Sequence, residues 1–343
     1  MDLETKARLI SIGTIEIAEH VQFGPASDST PTSTPIPADA SAQASTSGPG
    51  AGGKSVFFRS GDRIVRLSVV EESSLRLSRL ENGVEILHGD KKVAKGELVE
   101  PLLHCPEQAY ITVSERCIYD CKFCAVPKLR GRVKPSALVK EMTDKAAATG
   151  KLRAISITSG VEVSPKRETE RIAGIVRDLK ARGIGVPIGV SVSPFPGINK
   201  ILKNAGADEV KYNIETLDQD LFKRVCPGIS YVDIMDALNE AAAVFGKNRV
   251  FSNVIVGLGE SDRTLRCGID ELTEMGVLPI IRAVYPHPLR IGEIDMTRPS
   301  SERLLSLASY LRKSMDRNDL QGNLALTGCY RCTGCDLVPD RDL

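Results

Sequence analysis

Residues 154–193 read AISITSGVEVSPKRETERIAGIVRDLKARGIGVPIGVSVS. The stretch opens on an apolar run at 154–159 and closes on another at 187–193. Between them, residues 166–181 place apolar side chains at helical spacing. Strand, helix, strand in that order is the crossover that joins two parallel strands. Working outward, further strands read at 110–114, 209–214, 250–257 and 278–285, with helices at 231–245 and 263–275 and a last one at 300–318. Six βα units with apolar strands predict an α/β fold: a parallel sheet curled into a partial (βα)6 TIM-like barrel over residues 105–318. In such folds the site lies at the carboxyl ends of the strands.

The remaining residues divide into four pieces. Residues 1–23 carry Leu3, Ala7 and Ile10 at loosely helical spacing and read as a short helix or strand. Residues 24–53 are nearly all Pro, Ser, Thr, Ala and Gly, too poor in apolar surface to offset chain entropy, and read as a disordered linker. Residues 54–104 alternate in polarity between turn signals and read as a small antiparallel β region. Residues 319–343 form a cysteine-bearing tail, expected to return to the carboxyl rim of the barrel.

Composition narrows the function. The 343 residues hold 45 Lys+Arg against 44 Asp+Glu, a net charge of +1. That balance argues against a polyanion-binding surface, so no nucleic acid partner is expected. No apolar run approaches a membrane span and no signal peptide is legible, which predicts a cytoplasmic protein with reduced thiols. Six of the nine cysteines then fall into two tight triplets. Such spacing suits a metal or cluster better than disulfides.

The first triplet is Cys117, Cys121 and Cys124, spaced C-x3-C-x2-C directly after the first barrel strand. Three thiolates hold three irons of a [4Fe-4S] cube and leave the fourth open. The alternative is a structural zinc site, which needs a fourth ligand such as Cys105. Phe123, just before the third cysteine, is placed to pack over a flat ring. The second triplet, Cys329, Cys332 and Cys335, is spaced C-x2-C-x2-C in the tail. It reads as a second iron–sulfur cluster or as a zinc knot with Cys105, Cys226 or Cys267 as the fourth ligand.

The first triplet, on a loop after the first strand of a six-unit βα barrel and with an aromatic before its last cysteine, resembles the radical S-adenosylmethionine superfamily. The resemblance implies a [4Fe-4S] cluster on Cys117, Cys121 and Cys124 whose free iron chelates S-adenosylmethionine. It also implies reductive cleavage to a 5′-deoxyadenosyl radical and removal of hydrogen from an unactivated carbon. It places Ser159, Gly160 and Glu162 at the turn that binds the cofactor's amine, and Val256 and Gly257 against its adenine. Asn213-Ile-Glu215-Thr, Cys226-Pro-Gly and Gly257-Leu-Gly-Glu are similar to lipoyl synthase and its biotin-synthase relatives, which gives Asn213 and Glu215 a cofactor contact. An N-terminal cysteine triplet and a closing Arg-Ser-Ser, both features of lipoyl synthase, are missing here.

Sulfur insertion is the leading expectation. The alternatives are a C-methyltransferase of protein side chains, which admits cobalamin and includes modifiers of methyl-coenzyme M reductase, and a non-enzymatic cluster or zinc scaffold. The resemblance also implies an electron donor of ferredoxin or flavodoxin type and admits a protein- or carrier-bound substrate. No catalytic acid or base is legible. His287, after the sixth strand, is a candidate for substrate contact. Lys128, Arg130 and Arg132 are candidates for an anionic group, whereas His20, His88 and His104 form no constellation. Cys226 and Cys267 read as small core residues.

Overall fold

The computed structural model describes residues 1–18, 54–129 and 131–343. The linker read at 24–53, His20 and Arg130 lie outside them.

The N-terminal residues form helix α1 (Leu3–Ile12) and strand β1 (Thr14–Ile17). Asp2 caps the helix by accepting from the Thr5 N–H at 2.8 Å, and Gly13 ends it in the left-handed conformation at φ 71°. Five strands follow: β2 (Ser55–Ser60), β3 (Arg63–Val69), β4 (Leu75–Arg79), β5 (Val84–His88) and β6 (Lys91–Val99). They pair antiparallel as hairpins. Strand β1 then runs parallel to both β3 and β4 and closes the six strands into a small barrel. The polarity pattern of 54–104 gives the hairpins but not this closure, because the closing strand lies before the linker. Ile15, Phe58, Leu67, Leu77 and Ile86 fill the barrel's interior.

A short strand β7 (His104–Cys105) turns antiparallel into β8 (Gln108–Thr112), and the alternation then proceeds as the sequence predicts. Its members are α2 (Ser136–Ala148), β9 (Ala154–Thr158), α3 (Pro165–Ala181), β10 (Ile188–Ser191), α4 (Ile198–Ala205), β11 (Glu209–Lys211), α5 (Gln219–Val225), α6 (Tyr231–Phe245), β12 (Val250–Val256), α7 (Asp262–Glu274), β13 (Leu278–Ala283) and α8 (Ser301–Arg317). Strands β8 to β13 pair parallel in chain order and form a curled half-barrel.

These strands are apolar on one face only. Ala109, Ile111, Ile155, Ile157, Val210 and Val254 face the helices and are buried in the main core. The alternate residues Tyr110, Thr112, Thr158, Lys211, Asn253 and Arg282 face the lumen and line a cavity. The expectation of apolar strands thus holds for the helix-facing half of the residues.

The tail closes the lumen from the amino ends of the strands. This corrects the expectation that it returns to the carboxyl rim. Glu209, the first residue of β11, accepts hydrogen bonds from Leu326 N (2.7 Å), Thr327 N (2.9 Å) and Thr327 Oγ1 (2.7 Å). Gly328 N donates to Gln108 Oε1 at 2.9 Å and to Ser156 Oγ at 3.0 Å. Tyr330, in helix α9 (Gly328–Cys332), donates its hydroxyl to the Pro279 carbonyl at 2.7 Å. A terminal turn, α10 (Pro339–Asp342), docks on α1: the buried Lys6 ammonium donates to both Asp342 carboxylate oxygens and to Thr333 O at 2.8 Å each.

Gly189 makes this plug possible, because a Cβ there would stand 2.0 Å from Thr327 Oγ1. Gly189→Val is therefore expected to push the tail out and to destabilise the fold by about 1–3 kcal/mol, the usual cost of overpacking. Faster labelling of Cys329 and Cys335 by a thiol reagent, measured by mass spectrometry, checks it; native labelling rates would contradict it.

Candidate active site

The first cysteine loop leaves the carboxyl end of β8 and is tied down at several points. Ile118 N donates to Val161 O at 2.7 Å, beyond β9, and Lys122 N donates to Val225 O at 2.8 Å, at the end of α5. Arg290 Nε donates to the Cys124 carbonyl at 2.7 Å. The Arg290 side chain is fully buried and forms ion pairs with Asp120 and Glu293, each at 2.7 Å. Hydrogen bonding from Lys122, joined by Arg290, holds the Asp120 carboxyl down at about 2 despite partial burial. Burial in turn pushes the Cys124 thiol up to about 12 and the Cys117 thiol above its ordinary value.

A cavity of about 290 Å³ runs from this loop down the lumen. Cys117, Cys121 and Cys124 line one end of it, and Cys329, Cys332 and Cys335 line the other. Phe123, Ser159, Gly160, Asn213 and Glu215 also border it. So do Ile10, Phe57 and Arg66 from the N-terminal helix and barrel, which cover the open side of the half-barrel.

Each predicted cofactor contact has a distinct local role. Gly160 N donates to Ser114 O at 2.9 Å, and a Cβ on Gly160 would meet the Arg116 carbonyl at 2.3 Å, so only glycine fits. Ser159 Oγ donates to the buried Glu168 at 2.6 Å and accepts from Ser114 N at 2.9 Å, stitching β8 to β9. Glu215 is held at φ 61°, a strained conformation for a residue with a side chain. Burial pushes its carboxyl up to about 7, against the lowering pull of Lys211 and a hydrogen bond with Asn213. Asn253 Oδ1 is buried with no hydrogen-bond partner, an acceptor left open at the cavity wall.

The remaining described candidates, Cys105 apart, do not line this cavity. Glu162 turns away from the cavity into ion pairs with Arg171 (2.7 Å) and Arg116 (3.6 Å). Val256 is buried in the strand core, and Gly257 donates its N–H to Glu260 Oε1 at 2.8 Å. The β12 residues at the wall are instead Asn253 and Ile255. His287 starts a helical turn, its Nδ1 accepting from Leu289 N at 3.1 Å, and it does not line the cavity. Lys128 pairs with Glu293 at 3.1 Å, while Arg132 offers its backbone N–H to Glu115. Cys267 is exposed on α7, not a core residue. Cys226 is buried at the end of α5 beside Cys121, whose hydrogen-bonding contact, with burial, drives the Cys226 thiol far up.

Several lumen residues went unread in the sequence. His104 lines the cavity, where burial and the nearby Arg66, Arg282 and Lys211 cations drop it to about 3 and keep it neutral. Arg282 donates to Asp336 (2.5 Å) and to Cys329 Sγ (3.2 Å). Glu209, Lys211, Asn213 and Glu215 share one parity along a single strand and its extension. That alternation of polar residues is the signal that would have found the first two.

Each triplet offers three thiols from one short segment at the cavity wall, a donor set that suits a thiolate-held iron–sulfur cluster. Among the described residues no group of three or more His, Cys, Asp or Glu side chains is poised around a single metal ion.

Residues 111–266 match the radical SAM superfamily. This segment is a radical SAM domain. Two curated relatives are similar to the chain. The lipoyl synthase of Glaesserella parasuis serovar 5 (strain SH0165) is 28% identical over 229 residues, 64% of this chain and 70% of that protein. The mitochondrial lipoyl synthase of Drosophila melanogaster is 30% identical over 189 residues, 51% of this chain and 48% of that protein. Among solved structures, methylornithine synthase superposes with a TM-score of 0.52 at 18% identity, covering 60% of this chain and 62% of that one. That likeness shows the fold, a partial barrel. The radical SAM domain implies a [4Fe-4S] cluster and S-adenosylmethionine, and its first cysteine loop offers the three thiols such a cluster uses. No helix among the described residues is long and apolar enough to cross a membrane.

Proposed function

We propose that the chain is a radical enzyme that inserts sulfur into a substrate held between two iron–sulfur clusters. One observation carries the reading: a single cavity is bordered at one end by Cys117, Cys121 and Cys124 and at the other by Cys329, Cys332 and Cys335. Similarity to lipoyl synthases supports it. When bound, the first cluster and S-adenosylmethionine supply a 5′-deoxyadenosyl radical that takes hydrogen from carbon. The protein's part is to hold the cofactor and to exclude water from the lumen. Phe123 borders the first site and would pack beside the cofactor. Asn213 and Glu215 would contact the cofactor, a sulfonium cation, and Gly160 would let its methionine end approach the β9 backbone. Cys329, Cys332 and Cys335 would hold a second cluster, which would supply the sulfur. An electron donor of ferredoxin or flavodoxin type and a protein- or carrier-bound substrate complete the system.

The methylation alternative has no comparable support. Residues 55–99 form part of a β-barrel, without the strand–helix alternation of a cobalamin domain, and cobalamin is not proposed.

Glu215 gives the cofactor site a pH dependence. Its folded value of about 7 stands above the ordinary 4.5, so the carboxylate that would attract the cationic sulfonium cofactor forms only as pH rises through about 7. S-adenosylmethionine affinity, measured by equilibrium dialysis, is expected to strengthen several-fold from about pH 6 to about pH 8. Glu215→Gln should bind weakly at both. A wild-type affinity flat across that range would remove Glu215 from the cofactor site.

The function itself is tested by loading both clusters with isotopically labelled sulfide. The enzyme then receives S-adenosylmethionine, dithionite and a carrier peptide bearing a saturated acyl chain. The expected result is 5′-deoxyadenosine together with labelled sulfur in the peptide. Deoxyadenosine with a methyl gain would favour methylation. Absence of deoxyadenosine would leave a cluster-bearing scaffold.

A further inference from the structure

Each triplet has a further thiol packed against it, but Cys226, beside Cys121, lies off the cavity, whereas the thiol beside the second triplet lies inside the lumen. Cys105, the last residue of β7, packs with Cys332 and Phe57 in one buried group and lines the same cavity as Cys329 and Cys335. The backbone is bent to place it there. His104 at φ 70° and Glu107 at φ 57° flank it, two non-glycine residues in the left-handed region within four positions. Each such conformation costs on the order of 1–3 kcal/mol and persists only where its surroundings fix it. The fixing contacts are visible: Cys105 pairs with Gln108 across the hairpin. The Gln108 amide accepts from Gly328 N at 2.9 Å and donates to Gly328 O at 3.1 Å. The residue opposite Cys105 thus holds the residue before Cys329.

Charge points the same way. Arg66, Lys211 and Arg282 line this part of the cavity, and Asp336 is their one salt-bridge partner among the described residues. Half-buried cations in such excess call for an anionic partner. Four thiolates on an iron–sulfur core carry net negative charge and supply one.

We infer that Cys105 is the fourth ligand of the second cluster, with Cys329, Cys332 and Cys335. This rests on the second-cluster reading given above. It makes the two clusters chemically unlike: the first keeps an open iron, and the second has none. Substrate therefore lies against the second cluster, not on one of its irons.

The test uses the full chain carrying Cys117→Ala, Cys121→Ala and Cys124→Ala, so that only the second site is loaded on anaerobic reconstitution. Iron, acid-labile sulfide and the EPR spectrum are then compared with and without Cys105→Ala. The inference expects iron to fall from about four per chain to about three or fewer, with the signal of a three-iron centre after mild oxidation. Cys105→Ser, which keeps a weaker ligand and the hairpin's shape, is expected to retain the iron with a shifted spectrum, and it decides the matter if the alanine variant does not fold. Unchanged iron and spectrum in these variants would overturn the inference. Cys332→Ala in the same background separates the two levels. If it strips the iron while Cys105→Ala does not, only the fourth ligand is wrong. If neither changes the iron, or if zinc is bound instead, the second-cluster reading falls as well.

Discussion

Cys121→Ala is expected to lower the iron content by about one four-iron cluster per chain and to reduce 5′-deoxyadenosine formation by more than about 100-fold. Cys121 is the middle thiol of the first loop, and it lines the cavity between Cys117 and Cys124. Replacing a residue that merely supports a metal ligand costs about 10–100-fold in affinity or activity, so removing a ligand costs more. The surrounding loop should survive, because its anchors are elsewhere: Ile118 on Val161, Lys122 on Val225 and Arg290 on the Cys124 carbonyl. Iron analysis and chromatography of the nucleoside check the result. Deoxyadenosine formation within tenfold of wild type would sink the assignment of these cysteines.

The second large effect is on stability. Lys6→Met should destabilise the protein by about 3–5 kcal/mol, because it leaves the buried Asp342 carboxylate without its main counter-charge. Both side chains of the pair are essentially inaccessible, at 0% and 2% exposure. Lys6 also holds the carbonyl of Thr333, a residue at φ 57° in the turn between Cys332 and Cys335. Loss of the ammonium therefore loosens the second cysteine turn as well as the terminus. Denaturant unfolding measures the change. The double variant Lys6→Met with Asp342→Leu should recover most of it, since removing both charges leaves neither unpaired. A single variant within about 1 kcal/mol of wild type would contradict this account of the tail.

What could be read from the sequence follows physical range. The half-barrel was legible because each βα unit is a local pattern of period two followed by period 3.6. The first site was legible because its ligands lie within eight positions on one loop. Contacts made by distant chain were not. Strand β1 closes the small barrel from across the linker. Arg290 anchors the cysteine loop from 166 positions away, and the sequence pointed instead to His287, three residues earlier. The tail's route to the amino ends of the strands depends on a buried glutamate, Glu209, that reads as an ordinary strand-edge acid. Cys105 belongs to the same class, since nothing in its neighbourhood in sequence ties it to residues 329–335.

The central claim is that both thiol triplets face one cavity, and the magnetic interaction between two reduced clusters tests it most directly. EPR spectra would be recorded for the dithionite-reduced wild type, for the variant lacking the first triplet and for the variant lacking the second. Clusters that border one cavity are expected to lie within range of spin coupling. The wild-type spectrum should therefore be broadened and should relax faster than the sum of the two single-cluster spectra. A wild-type spectrum equal to that sum would place the clusters too far apart to share a substrate.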